Sequence, residues 1–313
     1  MPNILITGAA GFIGQLLAER LLASPGYNLI LTDIIEPPIP KKAVHRTHAR
    51  TIQADLCDST SLKALIASSA PLSAIYIIHG IMSSGSEVNF ELGMRVNLTA
   101  TSSLLEALLI YASSQAVYGQ PLPPLIDENV LPTPEGSYGA QKLICETLIN
   151  DYTRKGFIEG YSLRFPTISI RPGKPTQAAS SFLSGMIREP LAGVECIIPL
   201  RDRSFRSWLC SPKTLAENLV LALKIEGSAL PSHRRVVNVP GIGVSVQDMM
   251  DALAKVGGEE KLALLREETD DVMERILRSW GNEFDNTLAY KLGFREDVSF
   301  EQAIREYVTS LEG

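Results

Sequence analysis

Near its N-terminus the chain runs from "NILIT" through "GAAGFIG" into "GQLLAERLLAS". An all-apolar strand, a turn with glycine at every third place and an amphipathic helix leave few architectures open. Gly8 permits a tight turn, Gly11 keeps the backbone bare where a pyrophosphate would approach, and Gly14 lets helix and strand pack closely. The N-terminus of the helix "GQLLAERLLAS" then offers unpaired N–H groups to phosphates. The spacing is G-x-x-G-x-x-G, not the commoner G-x-G-x-x-G, so the triad needs support from its surroundings.

That support is Asp33, the acid closing the next apolar run, "NLILTD". A carboxylate there accepts hydrogen bonds from the adenosine ribose hydroxyls and repels a 2′-phosphate, which favours NAD over NADP. Lys41 and Lys42 lie beyond a Pro-rich loop and do not alter that preference. Asp55 and Leu56, at the end of the "TIQADL" strand, are placed to meet the adenine.

Strand and helix keep alternating through "TSLKALIASS", "SAIYIIH", "VNLTATSSLLEALL", "IYASS" and "GYSLRFPTISI". Buried apolar strands separated by helices predict an α/β chain with a Rossmann-type, doubly wound parallel sheet. With 313 residues the chain exceeds a single core, so a smaller, mostly helical substrate-binding domain is expected as well. The boundaries read as 1–170 plus roughly 205–240 for the nucleotide domain, and 171–204 plus 241–313 for the other.

A net charge of −6 argues against nucleic acid or an anionic membrane as partner, and makes any anionic substrate dependent on a local basic pocket. No basic leader precedes an apolar stretch, and no run approaches about 18 apolar residues. Cys57, Cys145, Cys196 and Cys210 are isolated, which reads as reduced thiols in a cytoplasmic protein. His45 and His48 have metal-like spacing but no further ligand nearby, so no metal is expected.

"SYGAQKLICE" places Tyr138 and Lys142 four residues apart, on one face of a helix. Together with "TGAAGFIG", "ADL", "VNLTAT", "SSQAVYG" and "LAYKLGFREDVSFEQAI", these residues resemble the extended short-chain dehydrogenase/reductase family, in its epimerase/dehydratase branch. The resemblance runs nearly end to end. It implies a catalytic set of Ser114, Tyr138 and Lys142. It implies a cofactor set of Gly8, Gly11, Phe12, Ile13, Gly14, Asp33, Asp55, Leu56, Gly80, Asn97, Tyr138, Lys142 and Pro166.

A free Tyr, with a pKa near about 10, is a poor base at neutral pH. Lys142 and the cationic nicotinamide are expected to lower it, so that Tyr138 takes a hydroxyl proton while Ser114 holds the reacting oxygen.

Two stretches depart from the branch that handles nucleotide sugars: Pro166-Thr167-Ile168 with Arg171-Pro172-Gly173-Lys174, and "SFRSWLCSPK". A small anionic sugar acid fits these better, and the resemblance implies its oxidation at the C2 hydroxyl to the 2-keto acid. Arg171, Lys174 and Arg188 are candidates for its carboxylate, with Ser180, Ser181, Ser114 and Tyr138 for its hydroxyls. A nucleotide-sugar epimerase or dehydratase and a non-catalytic NAD(H)-binding regulator stay open as alternatives. The family often pairs subunits through two helices per protomer, which implies a homodimer.

One junction is unusual. Between Asn97 and Ser113 no Gly, Pro, Asn or Asp marks a helix stop, although the chain must turn back before the strand carrying Ser114. The helix is therefore expected to end near Leu105 to Leu108, and the strand to shrink to a few residues around Ile110 to Ser113.

Overall fold

The computed structural model describes residues 1–104, 108–174 and 180–312. The chain opens with β1 (Asn3–Thr7), α1 (Phe12–Leu21), β2 (Asn28–Asp33), β3 (Ala49–Gln53), α2 (Ser59–Ser69) and β4 (Ala74–Ile77). Next come α3 (Ser83–Val88), α4 (Phe90–Gly93), β5 (Leu108–Ser114), α5 (Ser137–Arg154), β6 (Glu159–Phe165), β7 (Thr167–Ile168) and α6 (Ser181–Leu191). After these lie β8 (Cys196–Ile198), β9 (Arg206–Cys210), α7 (Pro212–Ala222), β10 (Val236–Asn238), β11 (Ile242–Ser245) and α8 (Val246–Gly257). The last elements are β12 (Leu265–Glu267), α9 (Asp271–Arg278), α10 (Thr287–Lys291) and α11 (Phe300–Glu312).

Two compact units emerge: Met1–Val117 with Gly136–Arg164 and Ala216–Val237, and Tyr118–Glu135 with Phe165–Leu215 and Asn238–Gly313. Seven strands form one sheet in the order β10-β6-β5-β4-β1-β2-β3. β1 pairs in parallel with both β2 and β4, and the pairing continues to β3 on one side and β5 on the other. The winding reverses between β1 and β4, and in open sheets ligands bind outside the strand ends at such a reversal. Leu5, Ile30, Ile75, Ile77, Leu109 and Tyr111 from these strands pack with Leu62, Leu65, Cys145 and Ile149 from α2 and α5.

The second unit holds a three-stranded sheet, β11-β9-β7, a two-stranded one, β12-β8, and the helices α6 and α8 to α11. Its core joins Leu183 and Met186 of α6 to Met249 and Leu253 of α8 and Ile304 of α11. Helix α8 starts on a reciprocal cap: Ser245 accepts from Asp248 N–H while Asp248 accepts from Ser245 N–H. Residues 118–135 cluster here rather than with the first unit. Ile126 bridges to Phe284, and Tyr118 packs on the same ring with centroids 5.7 Å apart. Among the described residues no helix is long and apolar enough to cross a membrane.

Two local expectations need correction. The third strand ends at Gln53, and Asp55 caps the turn beyond it by accepting from Cys57 N–H at 2.8 Å. Leu56 consequently turns into the core. At the unusual junction, α4 widens into a π-helical segment, Met94–Ala100, and the helix stops at Ser102. The expected stop falls mostly on 105–107, outside the described residues.

The expectation of a shortened strand is wrong. β5 keeps seven residues, from Leu108 to Ser114. All four residues of β4 pair with it, from Ala74 opposite Leu108 to Ile77 opposite Tyr111. Leu109, Ile110 and Tyr111 are at most 1% exposed. Strand pairing and burial outweigh the helical preference of the flanking residues, so the helix gives way and the sheet does not.

Candidate active site

The glycine turn is built by exclusion. Gly8 has φ +69°, and a Cβ there would stand 2.7 Å from the backbone nitrogen of His79, just beyond β4. A Cβ on Gly14 would reach 2.4 Å from the carbonyl oxygen of Gly8. A Cβ on Gly11 would meet only that same oxygen, at 3.2 Å, and the residue is exposed. Helix α1 starts at Phe12 with no side-chain cap on Gly11, leaving its first N–H groups for a ligand.

Asp33 is held at the same turn: one carboxylate oxygen accepts from Ala10 N–H at 2.9 Å and the other from Ile34 N–H at 2.7 Å. A bare turn, an uncapped helix and a carboxylate closing β2 fit a dinucleotide with a free ribose diol. The same unit carries the remaining cofactor candidates except Pro166, which lies buried between β6 and β7 in the second unit.

Beyond β4, Asn97 pairs with the backbone of Ile81 in both directions. Its Oδ1 accepts from Ile81 N–H at 2.7 Å and its Nδ2 donates to Ile81 O at 3.0 Å. Gly80 lies directly against this pair: a Cβ there would be 3.0 Å from Asn97 Oδ1 and 3.9 Å from Lys142 Nζ. Asn97, Gly80 and Lys142 are thus brought together.

Ser114 closes β5, and Tyr138 and Lys142 lie on the first turns of α5. Ala116 N–H donates to Ser114 Oγ at 3.1 Å, which leaves the hydroxyl proton to point elsewhere. Lys142 is buried, with Nζ 5.4 Å from the centroid of the Tyr138 ring, and it donates to Ala112 O at 2.6 Å. Burial pulls its ammonium down to about 8. Burial also pushes the Tyr138 phenol up to about 12, opposed by its hydrogen bond with the Ser114 hydroxyl. The three residues therefore meet, and burial is the largest influence on the phenol where they stand.

Four contributors carry no clear sequence mark. His79 stands between Thr7 Oγ1 (2.8 Å) and Thr101 Oγ1 (3.4 Å), and burial, with Lys142 charge second, holds its imidazole down to about 4. Glu87 of α3 accepts from Ser137 N–H, replacing the side-chain cap that Gly136 cannot supply. Glu146 and Arg164 form a buried pair behind β5. A histidine just after an apolar strand was the one available clue; the others look like ordinary surface residues on paper.

In the second unit, Arg171 donates to Ser180 Oγ at 3.4 Å and its backbone N–H to Ser184 Oγ at 3.1 Å. Arg188 is committed elsewhere: its fork holds Glu189, and Nη1 donates to Arg171 O at 2.8 Å. Burial and the neighbouring Arg188 charge both disfavour the Arg171 cation. Lys174 is exposed, and Ser181 opens α6.

The chain is 39% identical over 317 residues to D-erythronate dehydrogenase from Haemophilus influenzae, covering 98% of each chain. It is 38% identical over 324 residues to D-erythronate dehydrogenase from Cupriavidus necator, again covering 98% of both. Among solved structures, a nucleoside-diphosphate-sugar epimerase from Agrobacterium tumefaciens superposes with a TM-score of 0.91 at 35% identity, over 98% of this chain and 94% of that one. The family model described as NAD dependent epimerase/dehydratase matches residues 4–226. With its glycine turn, its Asp33 and its seven-stranded sheet, the chain belongs to the NAD-dependent epimerase/dehydratase family.

Proposed function

We propose that this protein is an NAD-dependent dehydrogenase that oxidises the C2 hydroxyl of D-erythronate, or of a close aldonate, to the 2-keto acid. The observation that carries the reading is the meeting of Ser114, Tyr138 and Lys142 beside Gly80 and Asn97 in a chain that aligns almost end to end with two D-erythronate dehydrogenases. When bound, NAD supplies the acceptor for the hydride leaving C2.

Tyr138 removes the proton from the C2 hydroxyl. The Ser114 hydroxyl, with its oxygen already accepting from Ala116 N–H, donates to the reacting oxygen and holds it in line. Lys142 stays anchored on the Ala112 carbonyl, so its charge is fixed in place rather than swept through solvent. An ammonium near 8 is mostly charged at neutral pH, and it favours the phenolate once the site is filled.

Arg171 is the proposed partner for the substrate carboxylate. Its cation is disfavoured where it stands, and an arriving anion relieves that cost while Arg188 holds its backbone. Lys174, Ser180 and Ser181 complete the proposed substrate set, and Arg188 serves through Arg171. A cytoplasmic homodimer, paired through the helix after Asn97 and α5, belongs to the same proposal.

NADH formation across four- to six-carbon sugar acids tests the function, with D-erythronate expected to turn over fastest. Silence on every acid, together with binding of UDP or dTDP, would replace it with a nucleotide-sugar activity. Cofactor binding with no turnover on either class would leave a regulator.

A further inference from the structure

The helix that bears Tyr138 and Lys142 also carries a buried amide to which the mechanism gives no role. Gln141 is 1% exposed, and its Oε1 accepts from Asn97 Nδ2 at 2.7 Å. The orientation of both amides is forced. Ile81 N–H requires Asn97 to present its oxygen, so Nδ2 faces Gln141, and Gln141 must present its own oxygen in turn. That leaves Gln141 Nε2 buried with no hydrogen-bond partner among the described residues.

A buried, unpartnered N–H is costly, so stability alone does not explain a glutamine here. Space has been kept for it all the same: a Cβ on Gly93 would stand 2.7 Å from Gln141 Nε2 and 3.1 Å from its Oε1. Gly93 ends α4, immediately before the π-helical segment that carries Asn97. The glycine and the glutamine thus work as a pair.

We propose that Gln141 is a positioning residue for the nicotinamide half of the cofactor, locking the Asn97 amide in its two-way pair with Ile81 and so fixing the Gly80–Ile81 backbone beside Lys142. The proposal rests on the reading of this unit as an NAD site. It deepens that reading by assigning a second tier behind Asn97. Gln141 is buried and bonded to Asn97, so its loss acts through Asn97. Its effect is confined to the nicotinamide end, because the adenosine end is held at Asp33 and the glycine turn.

The test compares two ligands, NADH and ADP, titrated against the whole protein and its variants. In Gln141→Ala, NADH affinity is expected to fall about tenfold, equivalent to about 1.4 kcal/mol, with ADP affinity unchanged. Gly93→Ala should reproduce that loss by pushing the Gln141 amide off Asn97. The double variant should bind NADH no worse than Gln141→Ala alone, because no amide remains to be displaced. If Gly93→Ala does not fold, Gln141→Leu, which fills the space without an acceptor, should show the same NADH-only loss.

Equal weakening of NADH and ADP, no weakening of either, or additive losses in the double variant would overturn the proposal and leave the cofactor site standing. Wild-type protein that binds neither ligand would overturn the site and the proposal together.

Discussion

The glycine turn after β1 and the charged layer behind β5 are both unforgiving, for different reasons. At the turn, backbone meets backbone: Gly8 and Gly14 have no room for a single added carbon. Behind β5, Arg164 grips Glu146 through Nε (2.9 Å) and Nη2 (2.6 Å), and Ser113 Oγ donates to the same carboxylate. Both side chains are 4% exposed or less. The first constraint is written in glycine, at a spacing with few other uses. The second is written in Glu and Arg, which look like surface residues until the partner is known. Steric necessity is visible along a chain; electrostatic necessity becomes visible only in space.

Substitutions that probe each region separately sharpen this contrast. The largest effect is expected from Gly14→Val. Its added atoms meet the Gly8 carbonyl and the Ala9 Cα, neither of which can swing aside. Unfolding in urea should show a loss of more than about 4 kcal/mol, together with loss of NADH binding. A mild, fully binding variant would mean that the turn is not steric in origin.

Arg164→Met ranks next, because it strands the Glu146 carboxylate in the interior. The expected cost is about 3–5 kcal/mol by the same assay. Adding Glu146→Leu should restore most of it, since the penalty belongs to the unpaired charge. Equal losses in the single and double variants would assign the region to packing instead.

His79 gives the smallest and most specific effect. Its folded pKa, about 4, lies below the ordinary histidine value, so between about pH 6.5 and 4 the unfolded chain takes up a proton that the folded chain refuses. Stability is therefore complete above that window and falls as pH drops through it. Lys142, the charge that faces this ring, stays protonated throughout the window. His79→Asn should flatten the acid-side decline in melting temperature relative to wild type. Parallel pH curves would mean that this ring is not held neutral.

Legibility in the sequence follows the same division. The alternation of apolar strands and helices revealed the doubly wound sheet, and the turn with Asp33 pointed to NAD as cofactor. The helix spacing of Tyr138 and Lys142 put them on one face, where the ring and the ammonium do meet. The junction before β5 misleads because propensity runs along the chain, whereas the length of β5 is dictated by its neighbour β4 across the sheet. Desolvation of the Tyr138 phenol is likewise illegible along the chain, because it depends on everything packed around the group, and a four-residue spacing carries none of that information. Gln141 lies inside "SYGAQK" yet nothing in that motif signals its pairing, because its partner lies 44 residues away.

The most direct measurement is transfer of a label. D-erythronate carrying deuterium at C2 is mixed with NAD and the protein, and the reduced nicotinamide is examined by mass spectrometry. Oxidation at C2 with Tyr138 as base requires deuterium in the NADH from wild type, and no NADH from Tyr138→Phe although that variant still binds cofactor. Unlabelled NADH, or a Tyr138→Phe variant that turns over at the wild-type rate, would contradict it.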